Sequence, residues 1–223
     1  MEGEAAHHLG RVLRAQPGQL YELSDGEKVW LGRIDLVTRD SVEFSLVEEL
    51  ASHQSSLQTT LLLSIVKFDS FEWALEKATE LGVRRIVPLE AARSEKALVR
   101  AAVKRAERWK KLLHEASQQS RRVQLPILDA PAKPAAAFSE FGDGVRIFLS
   151  EAAEAKPLQD VLRQQKAESA VLAIGPEGGW TDAEFAAARA LEFQDASLGK
   201  FILRAETAVV ASLAVINFVL GDY

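Results

Sequence analysis

From Leu61 onward, the chain alternates short, continuous apolar runs with longer segments of helical periodicity. The apolar runs are LLLSIVK, IVPL, VQLPIL, VRIFLS, SAVLAIG and ASLG. Runs that are apolar at successive positions indicate strands buried on both faces, and helices between such strands form the crossovers of a parallel sheet. The pattern therefore predicts an α/β domain whose mainly parallel sheet is covered by helices on both faces.

Five helices are predicted between and after these strands, at residues 70–82, 104–120, 158–164, 182–190 and 206–220. In the first of them, SFEWALEKATELG, the residues expected to pack inward are Phe71, Trp73, Leu75, Ala78 and Leu81. Gly82 is expected to end this helix, because glycine readily adopts the left-handed conformation found at helix ends. Trp109, in the second helix, fits a core position better than a platform for base stacking.

Before this domain, residues 20–50 alternate apolar and polar positions in short runs. Asp25-Gly26 lies between two of these runs as a hairpin turn, which predicts a small antiparallel β unit. The preceding segment HHLGRVLR is predicted to be helical. Its apolar stripe consists of Leu9, Val12 and Leu13.

The polar segment ASHQSSLQTT (51–60) separates the two patterns and is predicted to be a linker. A chain of 223 residues has room for one large domain or two unequal ones. We therefore predict a β domain at residues 1–58 and an α/β domain at residues 59–223.

The stretch IGPEGGWTDAEF (174–185) joins an apolar strand to a helix through three glycines and a proline. Thr181 is predicted to cap this helix, with Glu184 closing a capping box. A glycine-rich loop before a helix N-terminus commonly binds a phosphate. Here Glu177 and Asp182 place two negative charges at that position, and no Lys or Arg occurs from 174 to 188. A neutral or positively charged small molecule therefore fits the loop better than a phosphate.

Three loops at predicted strand ends have unusual sequences: LSEAA (149–153), IGPEGG (174–179) and SLGKFILRAETA (197–208). Ligands of parallel sheets bind outside the carboxyl ends of the strands, so these loops are the candidate binding site. The sequence contains neither the G-x-G-x-x-G dinucleotide motif nor the lysine motif of nucleoside triphosphate-binding loops.

Basic residues are concentrated in one part of the chain. Residues 84–122 contain 12 Lys and Arg against four Asp and Glu, whereas the remainder contains 15 basic and 28 acidic residues, for a net charge of −5. This asymmetry predicts a polyanionic partner at the basic segment. A solvated helix face would give the same composition, so that interpretation stays open.

Composition excludes several classes of protein. The chain has no cysteine, so disulfides and thiolate metal sites are ruled out. Its longest apolar stretch, AVVASLAVINFVL, has 13 residues, whereas a membrane helix needs about 20. The acidic start MEGEAAHHLG lacks an apolar signal segment, so a cytoplasmic location without a membrane partner is expected. His7 and His8 have no partner ligands at a known spacing, and no metal site is predicted.

Taken in order, the motifs KFDSFEWALEKATELGVRRIVPL, WKKLLHEASQQSRR, IGPEGG and LGKFILRAETA resemble the RsmE family, and the likeness runs from HHLGRVLR to the last helix. Members of this family methylate N3 of a uridine in 16S ribosomal RNA and belong to the SPOUT class. The resemblance implies an S-adenosylmethionine-binding α/β domain with a trefoil knot, preceded by a PUA-like RNA-binding β-barrel. The family usually has a further strand before HHLGRVLR, so the barrel is expected to be shortened at its N-terminus.

Three groups of site residues are predicted. Carried over to this chain, the family's motifs imply that the cofactor-binding residues are Leu149, Ser150, Glu151, Ile174, Gly175, Pro176, Glu177, Gly178, Gly179, Ser197, Leu198, Gly199, Ile202 and Leu203. They also imply Arg204 and Glu206 as catalytic candidates, from the L-R-x-E-T pattern. The RNA-binding candidates are Arg122, from the family's Q-x-x-R stretch, Arg93, Arg105, Lys110 and Lys111 of the basic segment, and Arg11 and Arg14 of HHLGRVLR.

Each implied role has a structural alternative. Arg204 would stabilise charge on the uracil oxygens, or it would simply form an ion pair with Glu206. Lys77 and Glu80, three residues apart on a helix, would act together or only pair with each other. No histidine lies in the cofactor motifs, so no general base is named.

The resemblance also implies partners. The substrate would be 16S ribosomal RNA or the assembled small ribosomal subunit. A homodimer is expected, because the last helix is apolar almost all round. Two alternatives remain open: a SPOUT methyltransferase acting on another RNA, such as a transfer RNA ribose 2′-OH, and a non-catalytic RNA-binding protein.

Overall fold

The computed structural model describes residues 1–51, 56–141, 144–163 and 165–221, and the chain falls into two units, Met1–Gln54 and Ser55–Tyr223. Residues 52–55 of the linker predicted at 51–60 lie outside the described residues. Residues 58–60 of that segment belong to a strand that begins at Gln58, so the linker prediction is wrong there. No helix of the described residues is long and apolar enough to cross a lipid bilayer.

The first unit combines a short helical segment with an antiparallel sheet of strand order β1-β2-β3. Its elements are α1 Gly3–His7, a π-helical turn His8–Val12, β1 Leu20–Ser24, β2 Val29–Val37 and β3 Val42–Leu50. The Asp25-Gly26 turn forms as predicted, because Asp25 Oδ1 accepts the Glu27 and Lys28 N–H groups at 2.9 and 2.8 Å. The small core contains Ala6, Leu9, Ala15, Ile34 and Val42.

The apolar stripe predicted in this segment is wrong in part. Leu9 is buried, but Val12 and Leu13 are 61% and 54% exposed. The Leu13 N–H bonds to the His8 carbonyl five residues back, at 3.0 Å. A π turn of this kind alters the angular spacing of the side chains, so residues at α-helical spacing no longer share one face.

The second unit is an α/β domain with a seven-stranded sheet of order β6-β5-β4-β9-β7-β10-β8, in which every neighbouring pair is parallel. The strands are β4 Gln58–Ser64, β5 Arg85–Leu89, β6 Ile127–Leu128, β7 Val145–Leu149, β8 Lys156–Pro157, β9 Ser169–Ile174 and β10 Gln194–Ser197. The helices are α2 Phe68–Glu80, α3 Lys96–Gln119, α4 Pro134–Glu140, α5 Leu158–Leu162, α6 Asp182–Ala190 and α7 Ala205–Leu220. The predicted parallel sheet is confirmed.

Both faces of this sheet are buried, as the unalternating strands predicted. Leu61 and Leu63 of β4 pack in the core that also contains residues of α2, α3 and α7. Leu62, between them, packs in a second core with residues of α4 and α6. Successive side chains of a strand point to opposite faces, so a strand buried on both sides has apolar residues at every position. How the chain threads after β10 does not follow from this strand order, so the trefoil knot stays a prediction.

Helix α2 packs inward through Phe71, Ala74, Leu75 and Ala78, at the i, i+3, i+4 and i+7 positions of one face. Trp73 lies off this face and is 44% exposed, so its predicted inward packing is wrong. Helix α3 begins at Lys96, eight residues before its predicted start. Its Trp109 is a core residue, as expected, with 1% of its surface exposed.

A buried carboxylate joins these two helices. Glu72 of α2 accepts hydrogen bonds from Arg108 Nη2 at 2.8 Å, Arg105 Nη1 at 3.0 Å and the Trp109 indole N–H at 3.3 Å. The hydrogen bonds from Arg108 lower the pKa of the Glu72 carboxyl below its ordinary value. Arg105 and Arg108 of the basic segment therefore form ion pairs with an acid of the neighbouring helix.

Candidate functional site

The carboxyl ends of β9, β7 and β10 lie side by side in the sheet, and the loops that follow them surround one cavity of about 1080 Å³. All 14 residues assigned to the cofactor from the family resemblance line this cavity. That they bind a cofactor stays a prediction, but the structure brings three segments spread over 55 positions of the sequence into one site.

Trp180 holds two of these loops together. Its indole stacks on Phe148 of β7, with ring centroids 4.6 Å apart, and its N–H donates to the Leu149 carbonyl at 2.9 Å. A Cβ at Gly175 would lie 2.9 Å from the Trp180 ring, so only glycine fits at that position. The loop after β9 is thereby fixed against the end of β7. Sequence reasoning did not assign a role to Trp180.

The rest of the glycine loop forms a tight turn into α6. The Gly179 N–H donates to the Pro176 carbonyl at 2.8 Å, and Gly179 has a φ of +70°. The predicted capping box is confirmed: Thr181 Oγ1 accepts the Glu184 N–H, and the Glu184 carboxylate accepts the Thr181 N–H. The turn and the helix cap together fix the path of this loop along the cavity wall.

A fourth loop, after β5, also reaches the cavity. The Ala92 N–H donates to Glu184 Oε1 at 2.9 Å, and Arg93 Nη1 donates to the Gly178 carbonyl at 2.9 Å. Arg93, which was predicted to bind RNA as part of the basic segment, lines the cavity itself. The rule that ligands bind at strand carboxyl ends would have found this loop, because it follows the strand IVPL.

The two catalytic candidates lie in different surroundings. Arg204 is exposed and lines the cavity, immediately before α7. Glu206 is half-buried and accepts a hydrogen bond from Ser70 Oγ of α2 at 3.1 Å. Within the described chain, Glu206 does not line the cavity and forms no ion pair with Arg204. Of the two candidates, only Arg204 therefore lies at the cavity, and a catalytic role for either residue stays a prediction. Lys77 and Glu80 form the predicted ion pair, at 2.7 Å.

The cavity combines apolar walls with charges of both signs. Leu149, Ile174 and Phe185 contribute apolar surface, while Glu151 and Glu177 contribute carboxylates. Small-molecule sites are typically clefts of about 300–1,000 Å³ with mainly apolar walls and a few polar groups. Arg93, Lys200 and Arg204 line the same cavity, so the neutral or positively charged ligand predicted from the sequence of the glycine loop stays a prediction. In the described part of the chain, no group of three His, Cys, Asp or Glu side chains is arranged to hold a metal ion.

The remaining RNA-binding candidates differ in how firmly the structure holds them. Arg11 and Arg14 are exposed in the first unit. Lys110 and Lys111 are exposed on α3, with Lys110 bonded to Glu107 at 2.8 Å. Arg122 donates to the Thr79 and Val83 carbonyls at 2.8 and 2.9 Å, at the end of α2. Arg122 therefore has a structural role that the sequence did not reveal, and RNA binding by these residues stays a prediction.

The sequence of this chain matches two known protein-family models. Residues 53–217 match the family model of the RNA methyltransferase domain, and residues 2–47 match that of the RNA methyltransferase PUA domain. A ribosomal RNA small subunit methyltransferase E from Synechocystis sp. is 34% identical over 96% of this chain and 71% of its own length.

Solved structures of similar proteins point to the same family. The structure of a ribosomal RNA small subunit methyltransferase E from Neisseria gonorrhoeae, bound to S-adenosylmethionine, matches with a TM-score of 0.89 and 32% identity, covering 100% of this chain and 92% of that one. A methyltransferase from Legionella pneumophila in complex with the same cofactor matches with a TM-score of 0.86 and 30% identity, covering 99% and 91%. The α/β fold with an N-terminal PUA-like domain is thus confirmed, and this chain belongs to the family of the ribosomal RNA small subunit methyltransferases E.

Proposed function

We propose that this protein transfers a methyl group from S-adenosylmethionine to N3 of a uridine in 16S ribosomal RNA. The observation that carries the proposal is the single cavity formed by the loops after β7, β9 and β10, with Arg204 at its edge. Two relatives support the proposal. The Synechocystis protein is a ribosomal RNA small subunit methyltransferase E, and the Neisseria structure contains bound S-adenosylmethionine.

The cavity fits this cofactor. Gly175, Gly178 and Gly179 line the cavity, and residues without a side chain there would let an adenine ring and a ribose approach the backbone closely. Glu151 and Glu177 would face the positively charged sulfonium or ammonium group. The bound cofactor would supply an electrophilic methyl carbon, and the protein's task is to place the acceptor nitrogen in line behind it.

We assign to Arg204 the stabilisation of the acceptor. The imide N3–H of uracil is a weak acid, and when N3 loses its proton, negative charge spreads onto O2 and O4. A guanidinium at the cavity edge would donate hydrogen bonds to that charge, which is the usual largest contribution to catalysis at such sites. In the described chain, Arg204 forms no ion pair, so its charge is not neutralised by a neighbouring acid.

RNA would be held by the exposed basic residues of α3 and by the first unit, whose sequence matches a PUA domain of RNA methyltransferases. Lys110 and Lys111 are the exposed candidates on α3, and phosphate contacts of this kind give affinity without sequence specificity. A substrate that belongs to the small ribosomal subunit places the proposed activity in the cytoplasm.

We expect the protein to be a homodimer that buries the outer face of α7. Phe218 on this helix is 80% exposed, and Phe201 and Ile202 in the loop before the helix are 87% and 80% exposed. A contiguous exposed apolar patch is typical of an interaction surface, and we expect these three side chains to form one. Sedimentation at micromolar concentration should give twice the 24.5 kDa mass of the chain.

Replacement of Phe218 by Glu should shift that equilibrium toward the monomer, because a carboxylate would be buried in an apolar interface. The matched control is Val103→Glu, at another apolar side chain, 65% exposed, on α3. A wild-type monomer at these concentrations, or dissociation by both substitutions alike, would contradict this interface.

The activity itself is tested with 16S ribosomal RNA or small subunits from a strain that lacks the gene. Incubation with S-adenosylmethionine should add one methyl group to one uridine, which mass mapping of the RNA locates. Methylation of transfer RNA instead would indicate another substrate. RNA binding without affinity for S-adenosylhomocysteine would indicate a non-catalytic RNA-binding protein.

A further inference from the structure

Arg93 differs from the basic residues of α3, because it precedes that helix and lines the cavity. It lines the cavity together with the glycine loop, and its side chain lies beside Gly178, whose carbonyl accepts a hydrogen bond from Arg93 Nη1. A Cβ at Gly178 would lie 3.2 Å from Arg93 Cβ and 3.6 Å from Arg93 Cδ. The arginine stem thus occupies the space that a larger residue at Gly178 would fill.

The backbone around Arg93 is held on both sides. The Ala92 N–H donates to Glu184 at 2.9 Å, and the Glu90 N–H donates to the Ala132 carbonyl at 2.8 Å. The Ser94 N–H closes a turn onto the Ala91 carbonyl at 3.0 Å. Together with the hydrogen bond from Arg93 Nη1 to the Gly178 carbonyl, these contacts hold the guanidinium at the cavity, so less conformational entropy would be lost on binding.

Most of the hydrogen-bonding capacity of this guanidinium is unused. A guanidinium has five N–H donors, and the hydrogen bond found for Arg93 is the one from Nη1 to the Gly178 carbonyl. Throughout the described ranges, no carboxylate lies within 4.0 Å of it, although Glu177 lines the same cavity. Arg93 is also exposed to solvent. A fixed, exposed guanidinium with free donors at a cavity edge is a site for an oxyanion.

We propose that Arg93 is a substrate-positioning residue that binds a phosphate of the RNA strand beside the nucleotide whose base enters the cavity. This inference rests on the proposed function. A phosphodiester fits better than the cofactor's carboxylate, because the strand must stay outside the cavity while one base enters it, and Arg93 is exposed at that edge. Arg93 and Arg204 would then have separate tasks, Arg93 holding the strand and Arg204 facing the base.

The test compares Arg93→Met with the wild-type protein. Methionine keeps much of the stem that packs over Gly178 but removes the guanidinium. We expect the KM for RNA to rise about 10- to 100-fold, as for loss of a charge-assisted hydrogen bond, with kcat and the affinity for S-adenosylhomocysteine nearly unchanged. The salt dependence of RNA binding should decrease by about one counterion. Arg93→Lys should restore part of the affinity, since a lysine keeps the charge but not the planar fork.

The matched control is Arg163→Met, an exposed arginine beyond α5 that does not line the cavity. It should leave the KM for RNA unchanged. If Arg93→Met weakens S-adenosylhomocysteine binding or lowers the Tm while the salt slope stays the same, Arg93 only supports the glycine loop or the cofactor, and the proposal is wrong. An unchanged KM also overturns it. Wild-type protein that methylates no RNA would instead refute the proposed function, so the two failures are distinguishable.

Discussion

Replacement of Arg204 by alanine should reduce turnover roughly 10²- to 10³-fold, the range found when one donor to a developing oxyanion is lost. The affinity for S-adenosylhomocysteine should change little, because the cofactor would be held mainly by the loops after β7, β9 and β10. The start of α7 should also persist, since the Arg204 carbonyl, and not its side chain, accepts the Ala208 N–H at 2.9 Å. Single-turnover methylation of RNA measures the first effect, and calorimetry measures the second.

Two further variants separate chemistry from structure at this position. Arg204→Lys should restore turnover only in part, because lysine lacks the planar fork that bonds two oxygens together. Glu206→Gln should retain the hydrogen bond from Ser70, since the glutamine amide oxygen can accept it. Near-normal turnover in Glu206→Gln would exclude Glu206 as a general base. Near-normal turnover in Arg204→Ala would exclude Arg204 from catalysis.

Replacement of Trp180 by alanine should destabilise the protein by about 3–5 kcal/mol, the usual range for a large aromatic residue removed from a core. Only 6% of its surface is exposed, and it stacks on Phe148 while donating to the Leu149 carbonyl. Loss of the indole would also free the loop after β9 from the end of β7. We therefore expect the affinity for S-adenosylhomocysteine to fall at least about 10-fold, as for loss of about 1.4 kcal/mol. Thermal unfolding and calorimetry measure the two effects.

Another tryptophan of the chain, Trp73, serves as the control for this substitution. Trp73 is 44% exposed on α2 and is not one of the residues that line the cavity, so Trp73→Ala should change stability by about 1 kcal/mol or less. Trp180→Phe should be intermediate, because it keeps the stacked ring but leaves the Leu149 carbonyl without its donor. If Trp180→Ala binds the cofactor normally, the indole contributes to stability only.

Local sequence determined those features of the fold that depend on neighbouring residues. The continuous apolar run of Leu61, Leu62 and Leu63 in β4 specified a strand buried on both faces, which is typical of a parallel sheet covered by helices. Thr181 and Glu184 specified the start of α6, because both halves of a capping box lie within one helical turn. The hairpin at Asp25 was equally local, since its carboxylate bonds to the N–H groups two and three residues ahead.

Tertiary structure alone decided which residues of distant segments meet. Arg93 and Gly178 are 85 positions apart, and nothing in the sequence around either residue indicates that the arginine would bond to the glycine loop. The sequence likewise did not indicate that Glu72 would pair with Arg105 and Arg108 of α3. Nor did it indicate that Glu206 would accept a hydrogen bond from Ser70 instead of lining the cavity. Hydrophobic periodicity fixes which face of a helix or strand is buried. It carries no information about which charged side chain of another element will lie opposite, because that depends on strand order and on the packing of helices across the sheet.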